Sequence, residues 1–128
     1  EFTRKFRQEN YEHAWATFEM ALSKGVKIAA GTDAAMPGVR HGDNARELEL
    51  MVERGMTPMQ AIVAATHTNA ELFDWESTLG TIEAGKLADI VIVRGDPLQD
   101  ISVLRDIQLI EKVIKGGETV VVRPNSTS

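Results

Sequence analysis

The first stretch of the chain, residues 3–24, is patterned as an amphipathic helix. Apolar side chains such as Trp15 and Phe18 recur at helical spacing among charged residues, and Gly25 is suited to end the helix. The apolar run 26–30 follows at once and predicts a short buried strand. A helix, a glycine and a short apolar strand in this order are typical of α/β proteins with a parallel sheet.

Two further helices are predicted in the middle of the chain. Asp43 is placed to cap the first, whose apolar stripe covers residues 45–52 and which Gly55 ends. The second is predicted over residues 57–74, which begin with Thr-Pro-Met-Gln. In that tetrapeptide the threonine suits the N-cap, the proline suits the first helical position, and the glutamine completes a capping box.

The pattern changes in the last third of the chain, where turn-forming residues give way to β-branched ones. Residues 88–93 and 107–114 are predicted strands, and residues 119–122 are predicted to return along the second of them. Gly116-Gly117 is the kind of two-residue turn that closes such a hairpin. A helical zone with one parallel-type strand is therefore followed by a β zone, and residues 124–128 are predicted to be a loose tail.

Composition narrows the class of protein. The 128 residues carry a net charge of −5, which argues against nucleic-acid binding because that function needs a basic surface. No apolar run approaches the roughly 20 residues needed to cross a bilayer, so no membrane partner is expected. The absence of cysteine excludes disulfides and thiolate chemistry and favours a cytoplasmic location.

The tetrapeptide Gly31-Thr32-Asp33-Ala34 is the first candidate for chemistry. It follows the predicted strand 26–30, and ligands and catalytic groups collect at the carboxyl ends of strands in α/β proteins. A carboxylate at this point can hold a metal ion or move a proton. It can equally cap the loop or helix that follows, and position alone leaves both interpretations open.

His41 lies on the loop after Asp33, at the rim of such a site. It is a candidate for contact with substrate, and the alternative is a helix-entry residue that bonds to the backbone. His67 is predicted to be a packed structural residue, and His13 a solvated or partly packed one. Asp89 is assigned to holding the turn after Gly85, and a solvated, ion-paired helix face is predicted for Glu47, Glu49, Glu53 and Glu71.

Taken together, several motifs resemble the metal-dependent amidohydrolase superfamily. Gly31-Thr32-Asp33-Ala34 after an apolar run is similar to the end of its last barrel strand, and residues 41–50 and 55–58 resemble the segment after that strand. Residues 79–91 are similar to the junction at which such a chain leaves the barrel for a small β-sandwich. The resemblance covers about residues 9–122, with the imidazolonepropionase and Xaa-Pro dipeptidase-like branch as the best match.

This resemblance implies an α/β fold: the C-terminal fragment of a (β/α)8 barrel followed by part of a small β-sandwich. Residues 1–78 would hold the last barrel strand with its flanking helices, and residues 79–123 the sandwich portion. A complete barrel needs roughly 200 residues. The family's His-x-His pair is also missing, because the three histidines of the chain are all isolated.

The resemblance also implies a function. Asp33 would bind a divalent metal, usually zinc, and take a proton from the attacking water, while His41 would contact a small amide or peptide-like substrate. The intact enzyme would hydrolyse amide, peptide-like or cyclic amide C–N bonds, and this chain alone would be inactive. Self-association, or pairing with the missing barrel portion, is expected because unpaired edges and apolar faces associate. The alternative is a non-catalytic binding or assembly module.

Overall fold

The computed structural model describes residues 2–34 and 40–123, so the predicted tail 124–128 lies outside the described residues. Helices come first and strands later, as predicted. The elements are α1 (Phe2–Ser23), α2 (Ala45–Glu53), α3 (Pro58–Ala65), α4 (His67–Leu72), β1 (Ile90–Val93), a 3₁₀ helix (Ile101–Leu104), β2 (Ile110–Lys115) and β3 (Glu118–Val122). Within the described part, no helix combines the length and apolar character that crossing a membrane requires.

The core lies where α1, α2 and α3 meet. Its buried members are Met51, Met56, Ala61 and Ala64, and each comes from α2, α3 or the turn between them. Half-buried apolar side chains close around this cluster: Phe18, Leu22, Ile28, Ala30, Leu48 and Val52. The apolar stripes of α1 and of residues 45–52 therefore pack on this core. Leu72 and Phe73, which the sequence placed on the stripe of the predicted helix 57–74, are exposed instead.

Residues 26–30, the predicted strand, form no ladder with another described segment. A strand is defined by its pairing, and here the chain is held by helices instead. The Ala30 N–H donates to the Ala64 carbonyl at 3.2 Å, and the Asn69 side-chain amide donates to the Ala30 carbonyl at 3.0 Å. Ile28 and Ala30 also pack on the core, so the segment is anchored along its length.

The predicted helix 57–74 is two helices. Its start is confirmed, because Thr57 and Gln60 form the reciprocal capping box with Pro58 at the first helical position. The prediction of one continuous helix was wrong, because Thr66 has φ −122° and ψ −86°, which ends α3 before α4 begins. The backbone of Gly80 packs against this break, so closely that a Cβ there would lie 2.6 Å from the Ala70 Cβ.

The three strands form one antiparallel sheet in the order β1-β2-β3. Val113 lies opposite Val91 on one side and Val121 on the other. The predicted Gly116-Gly117 turn is confirmed, with φ of 58° and 86°. The Asp89 carboxylate accepts a 2.7 Å hydrogen bond from the Gly116 N–H, so Asp89 holds this hairpin rather than the turn after Gly85 that the sequence suggested.

Candidate functional site

Asp33 follows the anchored segment 26–30 and is exposed. Its backbone has a φ of 44°, in the left-handed region that residues other than glycine rarely adopt. Aspartate tolerates this region better than most residues, and conformations of this kind concentrate at functional sites. Its carboxylate makes no hydrogen bond or ion pair with another residue of the described ranges 2–34 and 40–123.

His41 begins the turn that leads into α2. It is exposed, and Gly42 beside it has a φ of 86°, which lets the chain reverse direction. Residues 35–39, which link Asp33 to this turn, lie outside the described residues. Within the described part, no hydrogen bond joins His41 to Asp33 or to a backbone group at the helix entry. The structure thus places both candidates at the surface, on either side of residues 35–39.

Asp43 does not cap α2, which corrects the sequence prediction. The N-cap is Asn44, which makes no side-chain capping bond. The Asp43 carboxylate instead receives two parallel hydrogen bonds from Arg105, at 2.7 Å from Nε and 2.8 Å from Nη2. This bonding with Arg105 holds the pKa of Asp43 below its ordinary value. Asp43 and Arg105 are 62 positions apart in the chain, so no local sequence pattern predicts this pair.

The ion pairs continue from Arg105 onto α2. Glu49 Oε2 lies 3.3 Å from Arg105 Nη1 and 2.6 Å from Arg46 Nη1, and Arg46 Nη1 also reaches Glu53 at 3.0 Å. With its side chain only 12% exposed, Glu49 is enclosed by two arginines, so the prediction of a solvated carboxylate was wrong there. Burial alone raises the pKa of Glu47 on the same helix.

The other two histidines lie on helices. His13 is exposed on α1, as predicted. His67 is half-buried at the first position of α4, and its Nε2 lies 3.8 Å from Glu71 Oε1. Glu71 itself forms a 2.9 Å ion pair with Lys27, beside the anchored segment. Neither histidine lies in a group of three potential metal ligands among the described residues.

Asp33 fits a metal site as a single ligand. A carboxylate is a ligand that zinc and harder divalent ions accept, and a zinc site takes three or four protein ligands. Among the described residues, no three His, Asp or Glu side chains converge on a common point. The donor set visible here is therefore one exposed carboxylate, which requires further ligands from elsewhere.

A cavity lies elsewhere among the described residues. It measures about 790 Å³ and lies between the helices and the sheet, with a lining that includes Ile62, Phe73, Trp75, Ile90 and Ile110. Neither Asp33 nor His41 lines it. Most of its wall is apolar, with Asn69, Glu83, Lys86 and Asp89 among the polar residues of the lining.

Comparison with known proteins shows one consistent likeness. Residues 5–120 match the sequence model of the family described as "Amidohydrolase family". The chain is 41% identical over 104 residues to an ochratoxinase of Aspergillus niger, which covers 79% of the chain and 21% of that protein. It is 39% identical over 105 residues to an imidazolonepropionase of Geobacillus kaustophilus (strain HTA426), which covers 78% of the chain and 24% of that protein.

The fold is likewise shared with solved structures. One is a Xaa-Pro dipeptidase with bound methionine in the active site, 50% identical in sequence, with a TM-score of 0.74. That match covers 82% of this chain and 25% of the dipeptidase chain. The chain thus spans between a fifth and a quarter of the length of the proteins it resembles.

Proposed function

The chain belongs to the amidohydrolase family, and we propose that it supplies Asp33 to the metal-dependent active site of a hydrolase. The reaction is hydrolysis of an amide, peptide-like or cyclic amide C–N bond in a small molecule. The family match across residues 5–120, which includes an exposed Asp33 in a left-handed conformation, carries this proposal. The names of the ochratoxinase, the imidazolonepropionase and the Xaa-Pro dipeptidase support the breadth of the substrate class.

In this proposal Asp33 has two tasks. Its carboxylate is one ligand of a divalent metal, zinc by preference, and such an ion supplies activation of water at neutral pH. The same carboxylate accepts a proton from the attacking water and returns it to the leaving nitrogen. The contacts of Ala30 with Ala64 and Asn69 hold the backbone three residues before Asp33, which keeps the carboxylate in position.

His41 is proposed to contact the substrate. Its imidazole is exposed on the turn between residues 40 and 44, and either ring nitrogen can donate to a carbonyl or carboxylate of an amide substrate. The exposure of His41 and its position shortly after Asp33 in the chain support this role. The role requires the turn to be held still, because a mobile side chain contributes little to positioning.

The division of the chain is also proposed. Residues 1–78 belong to the last strand and helices of a (β/α)8 barrel, and residues 79–123 to a small β-sandwich, with residues 124–128 as a tail. The separation of four helices from an antiparallel sheet supports this division. We place the protein in the cytoplasm, and we propose that the chain pairs with the remaining barrel portion or with itself. Exposed apolar side chains such as Ile82 and Leu72 support such pairing.

The test compares Asp33→Asn with Asp74→Asn in the full-length gene product that carries these residues. Asp74 is the matched control, because it is also exposed and has a left-handed φ of 58°. Asparagine keeps the shape and the backbone preference of aspartate while removing its charge. Hydrolysis of Xaa-Pro dipeptides and related amides is expected to fall by about 10²–10⁴-fold in Asp33→Asn, with loss of bound zinc. The Asp74→Asn variant is expected to match the parent.

Equal activity and equal zinc content in the two variants would overturn the proposal for Asp33. A gene product with no bound metal and no hydrolysis at any zinc concentration would favour a non-catalytic binding or assembly module. The isolated 128-residue chain is expected to hydrolyse nothing, since a zinc site takes three or four protein ligands. Hydrolysis by that chain with added zinc would contradict the need for ligands from elsewhere.

A further inference from the structure

We propose that Arg105 is a positioning residue for the substrate site, because it fixes the turn that carries His41. The inference rests on the proposed function, in which His41 contacts substrate. Arg105 follows the 3₁₀ helix Ile101–Leu104 and reaches across to Asp43. It therefore links the segment between β1 and β2 to the turn of residues 40–44, which carries His41.

The geometry of the Arg105–Asp43 contact is specific. Nε and Nη2 of Arg105 face the two carboxylate oxygens separately, at 2.7 and 2.8 Å, which fixes the orientation of both planar groups. The remaining Nη1 reaches Glu49 at 3.3 Å. A lysine at this position would offer a point charge and could not reproduce the fork.

Asp43 transmits this restraint to the turn through its own backbone. Its N–H donates to the Arg40 carbonyl at 3.3 Å, and its carbonyl accepts from the Arg46 N–H at 3.1 Å. Asp43 thus ties the beginning of the turn to the first residues of α2, and His41 lies between these bonds. Because Gly42 permits a wide range of backbone angles, the contact of Asp43 with Arg105 adds a restraint beyond the turn's own hydrogen bonds.

The second anchor lies on α2. Glu49 accepts from both Arg105 and Arg46, so the arginine is held against the helix as well as against the turn. The 3₁₀ helix itself packs on α2. Arg105 is therefore held against α2, and through its contact with Asp43 it fixes the position of the turn relative to that helix.

The experiment measures steady-state kinetics of Arg105→Gln, Arg105→Lys and the control Arg54→Gln in the full-length gene product. Arg54 has a similar side-chain exposure, 39% against 43%, but pairs with Glu19 and lies over the Trp15 ring, away from the turn. Arg105→Gln is expected to raise KM about 10-fold with kcat changed less than about 2-fold, which is uniform loss of binding. Arg105→Lys is expected to recover only part of the loss, and Arg54→Gln to leave KM unchanged.

A double-mutant comparison separates positioning from general stability. In a His41→Asn background, Arg105→Gln is expected to leave KM where His41→Asn alone puts it, because both act through one contact. Amide hydrogen exchange gives a readout that needs no activity. The Asp43 and Arg46 amides are expected to exchange about 10-fold faster in Arg105→Gln and at the parent rate in Arg54→Gln.

Each outcome bears on one claim. Unchanged exchange at Asp43 and Arg46 in Arg105→Gln overturns the inference whatever the activity. An equal rise of KM in Arg105→Gln and Arg54→Gln, or full additivity with His41→Asn, overturns it as well. If instead Asp33→Asn keeps full activity, it is the proposed function that fails, and the exchange result still decides whether Arg105 fixes the turn.

Discussion

Replacing Gly80 with alanine would put a methyl group where the chain leaves no room. The added Cβ would lie 2.6 Å from the Ala70 Cβ, 3.1 Å from the His67 Cα and 3.2 Å from the Thr66 carbonyl oxygen. Two of these three atoms are backbone, and Ala70 is buried, so none can swing away as a flexible side chain would. Gly80 also has a φ of 95°, a conformation that alanine adopts only with strain.

The two costs can be separated with a second glycine. Gly85 has a φ of 91°, and a Cβ there would meet nothing within 4 Å, so Gly85→Ala carries the backbone strain alone. We expect that strain to cost about 1 kcal/mol of unfolding free energy. In Gly80→Ala the overpacking adds about 2–3 kcal/mol, because the neighbours can yield only by moving the junction between α3 and α4.

Urea unfolding of the chain and the two variants, at one protein concentration, measures the difference. The midpoint is expected to fall much further for Gly80→Ala than for Gly85→Ala, at similar slopes. Free energies of unfolding for the two variants that agree within about 0.5 kcal/mol would refute the reasoning. That result would mean that Gly80 does not press on the break at Thr66.

Three further predictions concern the core, a helix cap and the Arg105 pair. Met51→Ala, in the buried core, is expected to cost about 3 kcal/mol of unfolding free energy, whereas Met59→Ala, at a residue that is 51% exposed, should stay within about 0.5 kcal/mol in the same denaturation assay. Thr57→Ala removes the acceptor of the capping box and is expected to cost about 1 kcal/mol of unfolding free energy. Thr57→Ser keeps a hydroxyl acceptor and should retain most of this stabilisation. Bonding to Arg105 lowers the pKa of Asp43 below its ordinary value of 3.8. The ionised Asp43–Arg105 pair therefore stabilises the folded chain fully when the pH is above this ordinary value, and the stabilisation is lost as the pH falls through the lowered pKa. The difference in stability between the parent and Asp43→Asn should therefore be constant from pH 7 to 5 and shrink below about pH 4, and a difference that grew with acid would contradict the pair.

The candidate site shows how far local reasoning reaches. Asp33 is recognised as a candidate because an apolar run precedes it, and the motif around it resembles one family. No local sequence pattern predicts the left-handed backbone of Asp33 or the hydrogen bond from Asn69 to Ala30. The same holds for Arg105, which neither a motif nor a periodicity marks, because its partner Asp43 lies 62 residues away.

The sequence by itself determined the elements whose signals act over a few residues. The helix α1, the capping box at Thr57 and the hairpin turn at Gly116 all depend on contacts within one turn of chain, so their residues suffice to predict them. The family also followed from short motifs, and the comparison confirmed it.

Only the tertiary structure decided which distant groups meet. It ended α3 at Thr66, where Gly80 packs against the junction, and it held residues 26–30 by helices rather than by a paired strand. It also placed the Asp43 carboxylate in the ion pair with Arg105 instead of at the predicted cap of α2. Local propensities amount to fractions of a kcal/mol per residue, so a steric contact or a bidentate ion pair between remote segments overrides them.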